Sequence, residues 1–144
     1  MSQKLLDAVF TTLTDDTEFM ALLGLTPSSL MTEKIKRVYR EEEPESGINS
    51  TTAPLVVIVL KPGRFGRNYL VYEGKFWLGF FAKTSFGAKA MSERAFKLFH
   101  DKPIVDTDFR ASRCMLAHDC GFATGIKGIK GHEAIYDADY HRMN

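Results

Sequence analysis

Cysteine is scarce, tryptophan scarcer, and charge of neither sign prevails. Two cysteines in 144 residues exclude a small domain held by a disulfide framework. Cys114 and Cys120 lie six positions apart in what reads as one strand. Their side chains are then expected on one face, too far apart to bridge, as free buried thiols in a reducing interior. A net charge of +1 removes the strongly basic balance of a protein that coats nucleic acid. No apolar run approaches the roughly 18 residues of a membrane-spanning helix. The opening MSQKLLDAVF, with one lysine and an early aspartate, does not read as a secretory leader. Hydrophobic residues at 44% and charged residues at 26% are ordinary and force no disordered reading. The length fits a single domain, 1–144, with a core of its own.

What is present is organised around the stretch from Tyr69 to Phe99. Its first half reads as a long strand with Leu70, Tyr72, Phe76, Leu78 and Phe80 on one face and Val71, Glu73, Lys75 and Trp77 on the other. Its second half reads as an amphipathic helix whose stripe is Ala88, Met91, Ala95, Leu98 and Phe99. Ser85 is the expected N-cap, and the run Asp101, Lys102, Pro103 is expected to end the helix. The helix must fold back over the apolar face of the strand.

The remaining elements follow by the same reasoning. Ser2 to Leu13 reads as a helix on Leu5, Leu6, Val9 and Leu13. A second, short one carries Phe19, Leu22 and Leu23, capped by Asp15 with Glu18 and stopped by Gly24. Thr32 to Arg40 reads as a charged edge strand. Residues 41–53 have no periodicity and read as a mobile loop. Leu55 to Leu60 is a continuous apolar run, expected as a central strand. Residues 61–68 read as a hairpin loop, and 108–122 and 132–142 as strands separated by a glycine-punctuated turn. The expected fold is α+β: an antiparallel or mixed sheet of about five strands, two short N-terminal helices and one long helix packed on the sheet.

Catalytic chemistry finds little support. There is no GxSxG elbow, and no cysteine sits at a helix start beside positive charge. The histidines at 100, 118, 132 and 141 are scattered, and no nucleophile, base and orienting acid are paired. The chain is expected not to be an enzyme and to need no cofactor. Cys114, His118 and Cys120 have neither CxxC nor helical HxxxH spacing. Along one strand they extend over roughly 20 Å at about 3.3 Å per residue, so only His118 and Cys120 could share an ion. No metal is expected. The run from Gly125 to Gly131 lacks the following helix that a phosphate cradle needs.

Charge placement is more informative. Glu41, Glu42, Glu43 and Glu45 make one loop acidic, whereas Lys61, Arg64 and Arg67, with Phe65 among them, make the next one basic. Oppositely charged loops on one subunit suit a head-to-tail interface, which closes into a ring when the rotation permits. Trp77 and Tyr72 are candidate aromatic anchors, with core burial the stronger account for Tyr72. On the last strand Glu133, Asp137 and Asp139 share a face, and acids lining a channel would repel phosphate and let a polyanion slide. A competing use of charge is a nucleic-acid-binding surface of Lys34, Lys36, Arg37 and Arg40 with Tyr39.

The order LLDAVFTTL…FMALLG, KIKRVY, a polar loop, PLVVIVL, a long aromatic strand, one helix and closing strands resembles the tail-completion or tail-terminator proteins of long-tailed bacteriophages and related head–tail joining proteins. The resemblance implies a ring of identical subunits, commonly a hexamer. Such a ring caps the tail-tube protein, halts its polymerisation and meets the neck and connector proteins. It implies a place in the virion, assembled in the host cytoplasm without a membrane, with DNA crossing a lumen that Glu133, Asp137 and Asp139 would line. The two charged loops and Trp77 would contact neighbouring subunits or the tube. A neck or head-completion connector is the nearest variant of this expectation.

Overall fold

The computed structural model describes residues 2–141, so Arg142, expected to end the last strand, lies outside the described residues. Helices α1 (Ser2–Thr14), α2 (Thr17–Leu22) and α3 (Met31–Lys34) precede strands β1 (Val38–Arg40), β2 (Leu55–Phe65) and β3 (Val71–Ala82). Helix α4 (Ser85–Phe99) then leads to β4 (Lys102–Asp106), β5 (Phe109–Phe122) and β6 (Lys130–His141). The strands make one mixed sheet in the order β1-β2-β3-β6-β5-β4. Only β1 and β2 run parallel; every other pairing is antiparallel. The class is α+β as expected, with six strands rather than five.

The sixth strand is β4, where a helix stop and a loop were expected. It is a sheet edge, which is where a proline such as Pro103 can sit without removing a ladder hydrogen bond. The other departure is at Thr32 to Arg40. Leu30 caps a single helical turn, α3, and only Val38–Arg40 pairs with the sheet. Glu33, Lys34 and Lys36 carry little strand preference of their own, so the local turn wins until β2 supplies a partner.

Helices α1, α2 and α4 cover one sheet face. Leu5, Leu6, Val9, Leu13, Phe19 and Met20 from the N-terminal helices meet Val56, Ile58, Phe76, Leu78 and Phe80 of the central strands in one buried cluster. At its centre Phe76, Phe99 and Tyr136 touch pairwise, with ring centroids 5.3–5.6 Å apart. Each such contact adds about 0.5–1.5 kcal/mol beyond its buried area. Burial raises the phenol pKa values of Tyr136 and Tyr140, the latter to about 12.

The caps differ by one residue from the expected ones. Asp16, not Asp15, caps α2 by accepting from the Phe19 amide at 2.8 Å. Thr84, not Ser85, caps α4 by accepting from the Gly87 amide at 3.0 Å. Gly24 does close α2 in the left-handed region at φ 78°, with Leu25 donating back to the Met20 carbonyl. Asp16 also takes a two-pronged ion pair from Arg94 of α4, at 2.7 and 2.8 Å. That guanidinium, with the amide of Phe19, holds the Asp16 carboxyl below its usual range.

Candidate functional site

Helices α1, α2 and α4 all pack on the first sheet face, and among the described residues none of these three covers the second. At one end the loops 41–53 and 123–129 cover it, and Ile48, Ile126 and Ile129 pack on Leu55, Val57 and Phe81. Residues 41–53 are organised by Asn49, whose side-chain oxygen accepts from the Thr51 and Thr52 amides, and by Arg37, which donates to the Thr52 and Pro54 carbonyls. Beyond these loops the face is polar and open.

Which side chains reach this face depends on a β-bulge. Leu116 pairs with Tyr136, but His118 pairs with Ile135, so Ala117 is the extra residue of β5. Cys114 and Leu116 therefore point toward the helices, whereas His118, Cys120 and Phe122 point to the open face. The expected common face of Cys114 and Cys120 is thus corrected. Cys114 is buried, and that burial drives its thiol pKa up to about 12; Cys120 is half-buried at the surface.

Cys120 stands opposite Glu133 in the β5–β6 register, and Gly79 flanks Glu133 on the β3 side. His118 Nε2 lies 3.2 Å from Cys120 Sγ, and Glu133 Oε1 lies 3.5 Å from each of them. The other carboxylate oxygen of Glu133 accepts the indole N–H of Trp77 at 2.9 Å. That bond, foremost, lowers the Glu133 pKa, with help from Cys120 and His118. Desolvation, and then the bond and charge of Glu133, push the Cys120 thiol up. Glu133 thus joins the pair that the sequence brought together. The signal that could have found it is an acid at a cross-strand position, which requires knowing the register.

Further along the face, Glu133, Asp137 and Asp139 do share one side of β6, but not as a row of bare charge. Asp137 is ion-paired with Lys75. Asp139 is flanked by Glu73 and Arg113 in register. Burial and the charges of Glu73 and Asp137 raise its pKa against the pull of Lys75. Arg64 pairs with Glu73 at 3.0 Å. Arg64, Glu73, Lys75, Asp137 and Asp139 line a shallow trough of about 520 Å³ with Pro62 and Gly63.

Apart from Trp77 on β3, the interface candidates lie on β2 and in the connections before and after it. Residues 61–65 are not a loop but the continuation of β2, bulged between Lys61 and Arg64. The turn is 66–70, so Leu70 is exposed rather than facing the core. Glu41, at φ 59°, is partly used within the chain, its carboxylate accepting from the Leu60 amide at 2.8 Å. Glu42, Glu43, Glu45, Lys61, Phe65 and Arg67 are exposed. Trp77 is half-buried, with Lys61 Nζ 5.8 Å from its ring centroid.

The basic surface expected around β1 is not assembled. Lys34 is 9% exposed, Arg37 is committed to the 41–53 loop, and Arg40 pairs with Asp7 at 3.0 Å while lying over the Phe10 ring. The Tyr39 hydroxyl donates to the Lys36 carbonyl. A second polar cluster lies on the helix side, where His132 contacts Asp119 and Ser92 donates to the same carboxylate at 3.3 Å. It borders a groove of about 350 Å³ between α4 and the β5–β6 strands.

No protein-family model matches the chain, and no curated protein sequence matches it. Among solved structures, a chain from the virion of a native gene transfer agent particle has the same fold, with a TM-score of 0.64. The match covers 96% of this chain and 95% of that one at 15% identity. The two therefore share a fold over essentially their whole lengths. No described helix is long and apolar enough to cross a membrane.

Proposed function

We propose that this protein is a structural subunit of a phage-like virion, acting as a tail terminator or tail-completion ring that ends the tail tube and joins it to the neck. The observation that carries this reading is the whole-length fold match to a virion chain. Size and fold agree end to end, as expected of a subunit whose shape is its function.

Surface chemistry supports the same reading. Leu30, Met31 and Ile35 are exposed near the β1 edge, Val105 on the β4 edge, and Phe86 is 83% exposed at the start of α4. Apolar groups on separate sides of one subunit suit a heterologous contact, in which different surfaces meet and the ring closes by rotation. The polar sheet face, with its acids interleaved among Lys75, Arg64 and Arg113, suits a surface over which DNA passes without sticking. The exposed charges of Glu42, Glu43 and Glu45, and of Lys61 and Arg67, are the groups available for pairing between subunits or with the tube. The role is shape and charge complementarity, without catalysis or a cofactor of reaction.

The test is removal of the protein from particle production. Tails of uncontrolled length, separated from heads, are the expected outcome. Tails of normal length left unjoined would move the assignment to the neck connector, and normal particles would refute the assembly role.

A further inference from the structure

We propose that His118, Cys120 and Glu133 form a binding site for one zinc-class divalent transition-metal ion on the open face of the sheet. The ligand atoms all lie within 4.8 Å of one another. A tetrahedral ion with metal–sulfur bonds of about 2.3 Å and metal–nitrogen and metal–oxygen bonds of about 2.0–2.1 Å spans ligand-to-ligand edges of roughly 3.3–3.6 Å. The three observed edges are 3.2, 3.5 and 3.5 Å. The atoms thus stand close to the corners of one triangular face of such a tetrahedron, with the sulfur–nitrogen edge the one that lengthens on binding.

Three features make this a built arrangement rather than a chance meeting of polar side chains. The Ala117 bulge turns His118 and Cys120 together onto the open face, where Glu133 lies, while Cys114 and Leu116 stay on the helix side. The β5–β6 register then sets Glu133 directly opposite Cys120. Finally, the Trp77 indole N–H binds the far oxygen of Glu133 and leaves the near one aimed at His118 and Cys120. Orienting bonds of this kind, one shell outside the ligands, commonly fix metal sites. Gly79 gives the indole its place, because a Cβ there would lie 2.1 Å from the Trp77 ring.

The donor set selects the ion class. Calcium and magnesium take oxygen ligands, whereas imidazole with thiolate favours zinc and its neighbours in the first transition row. Coordination replaces the Cys120 thiol proton, which leaves to solvent. Three protein ligands on an exposed face leave a fourth position for water or for a group from an incoming molecule. The site is independent of the assembly reading and stands or falls on its own.

Full-length protein, reduced and stripped with a chelator, is titrated with Co2+ and followed by absorbance. The expected result is one ion per chain, with visible bands of a tetrahedral site and a near-ultraviolet thiolate-to-cobalt band, all displaced by Zn2+. Cys120→Ser should abolish the thiolate band, and Cys114→Ala should keep it. Trp77→Phe should weaken binding 10- to 100-fold, the usual effect of losing an orienting partner. Circular dichroism confirms that each variant is folded, and Glu133→Gln serves as a second ligand variant. No thiolate band in the wild type, or a band that survives Cys120→Ser, would overturn the proposal.

Discussion

Gly79→Ala is the most revealing single substitution. A Cβ on Gly79 would meet the Trp77 ring at 2.1, 2.6 and 2.8 Å. The ring is rigid, so it must tilt away by more than an ångström to reach ordinary contact. Tilting breaks the 2.9 Å bond from the indole to Glu133, of a kind worth about 1.5–3 kcal/mol when one partner is charged. Half-burial of Trp77 allows water to replace part of that bond, and alanine suits a strand better than glycine by about 0.5–1 kcal/mol. A net loss of about 1–2 kcal/mol follows, or a fall in Tm of roughly 3–8 °C for a chain of this size. Trp77 is the sole tryptophan, so its emission reports the displacement directly and should move to longer wavelength. Trp77→Phe, which removes the ring's tip, should lose less on addition of Gly79→Ala than the wild type does. Unchanged emission and melting in Gly79→Ala would refute the packing of Trp77 over Gly79 and the tether on Glu133.

Other predictions test the fold and its titration. Asp16 has a lowered carboxyl pKa in the folded chain, so its contribution is present above the ordinary value of 3.8 and is lost as pH falls through the lowered one. Asp16→Asn should therefore flatten the acid limb of a Tm-versus-pH curve and leave α2 less protected from hydrogen exchange. Phe76→Ala removes a side chain from the buried aromatic trio and should cost about 3–5 kcal/mol in chemical denaturation. A thiol reagent should modify Cys120 in the native protein and reach Cys114 only on unfolding, since Cys114 is buried with its pKa pushed to about 12. Arg37→Ala removes the bonds to the Thr52 and Pro54 carbonyls that hold the end of the 41–53 loop and should raise the loop's protease sensitivity without altering the core.

Much of the fold is legible because period and burial agree. The strand face of Phe76, Leu78 and Phe80 and the helix stripe of Ala88, Met91, Ala95 and Phe99 are all buried. The face of Ala134, Tyr136, Ala138 and Tyr140 is buried too. Failures fall where pairing, not local pattern, decides. The Ala117 bulge exists because β5 must match β6, and nothing in FRASRCMLAHDCGF marks it. It inverts the outward set from His118 onward, and with it the reading of the cysteines. Strand β4 is short and contains Pro103, so only its place at the sheet edge makes it a strand. The charge pattern of 34–40 looks like a surface until tertiary contacts take up Lys34, Arg37 and Arg40 one by one.

The central claim is assembly, and the direct measurement is the mass of the purified protein in solution across a concentration range, with particle imaging, before and after addition of tail-tube protein. The account predicts a discrete ring with a central hole, formed alone or on the tube end, at a fixed number of subunits. A chain that stays monomeric at every concentration and fails to associate with the tube would contradict it.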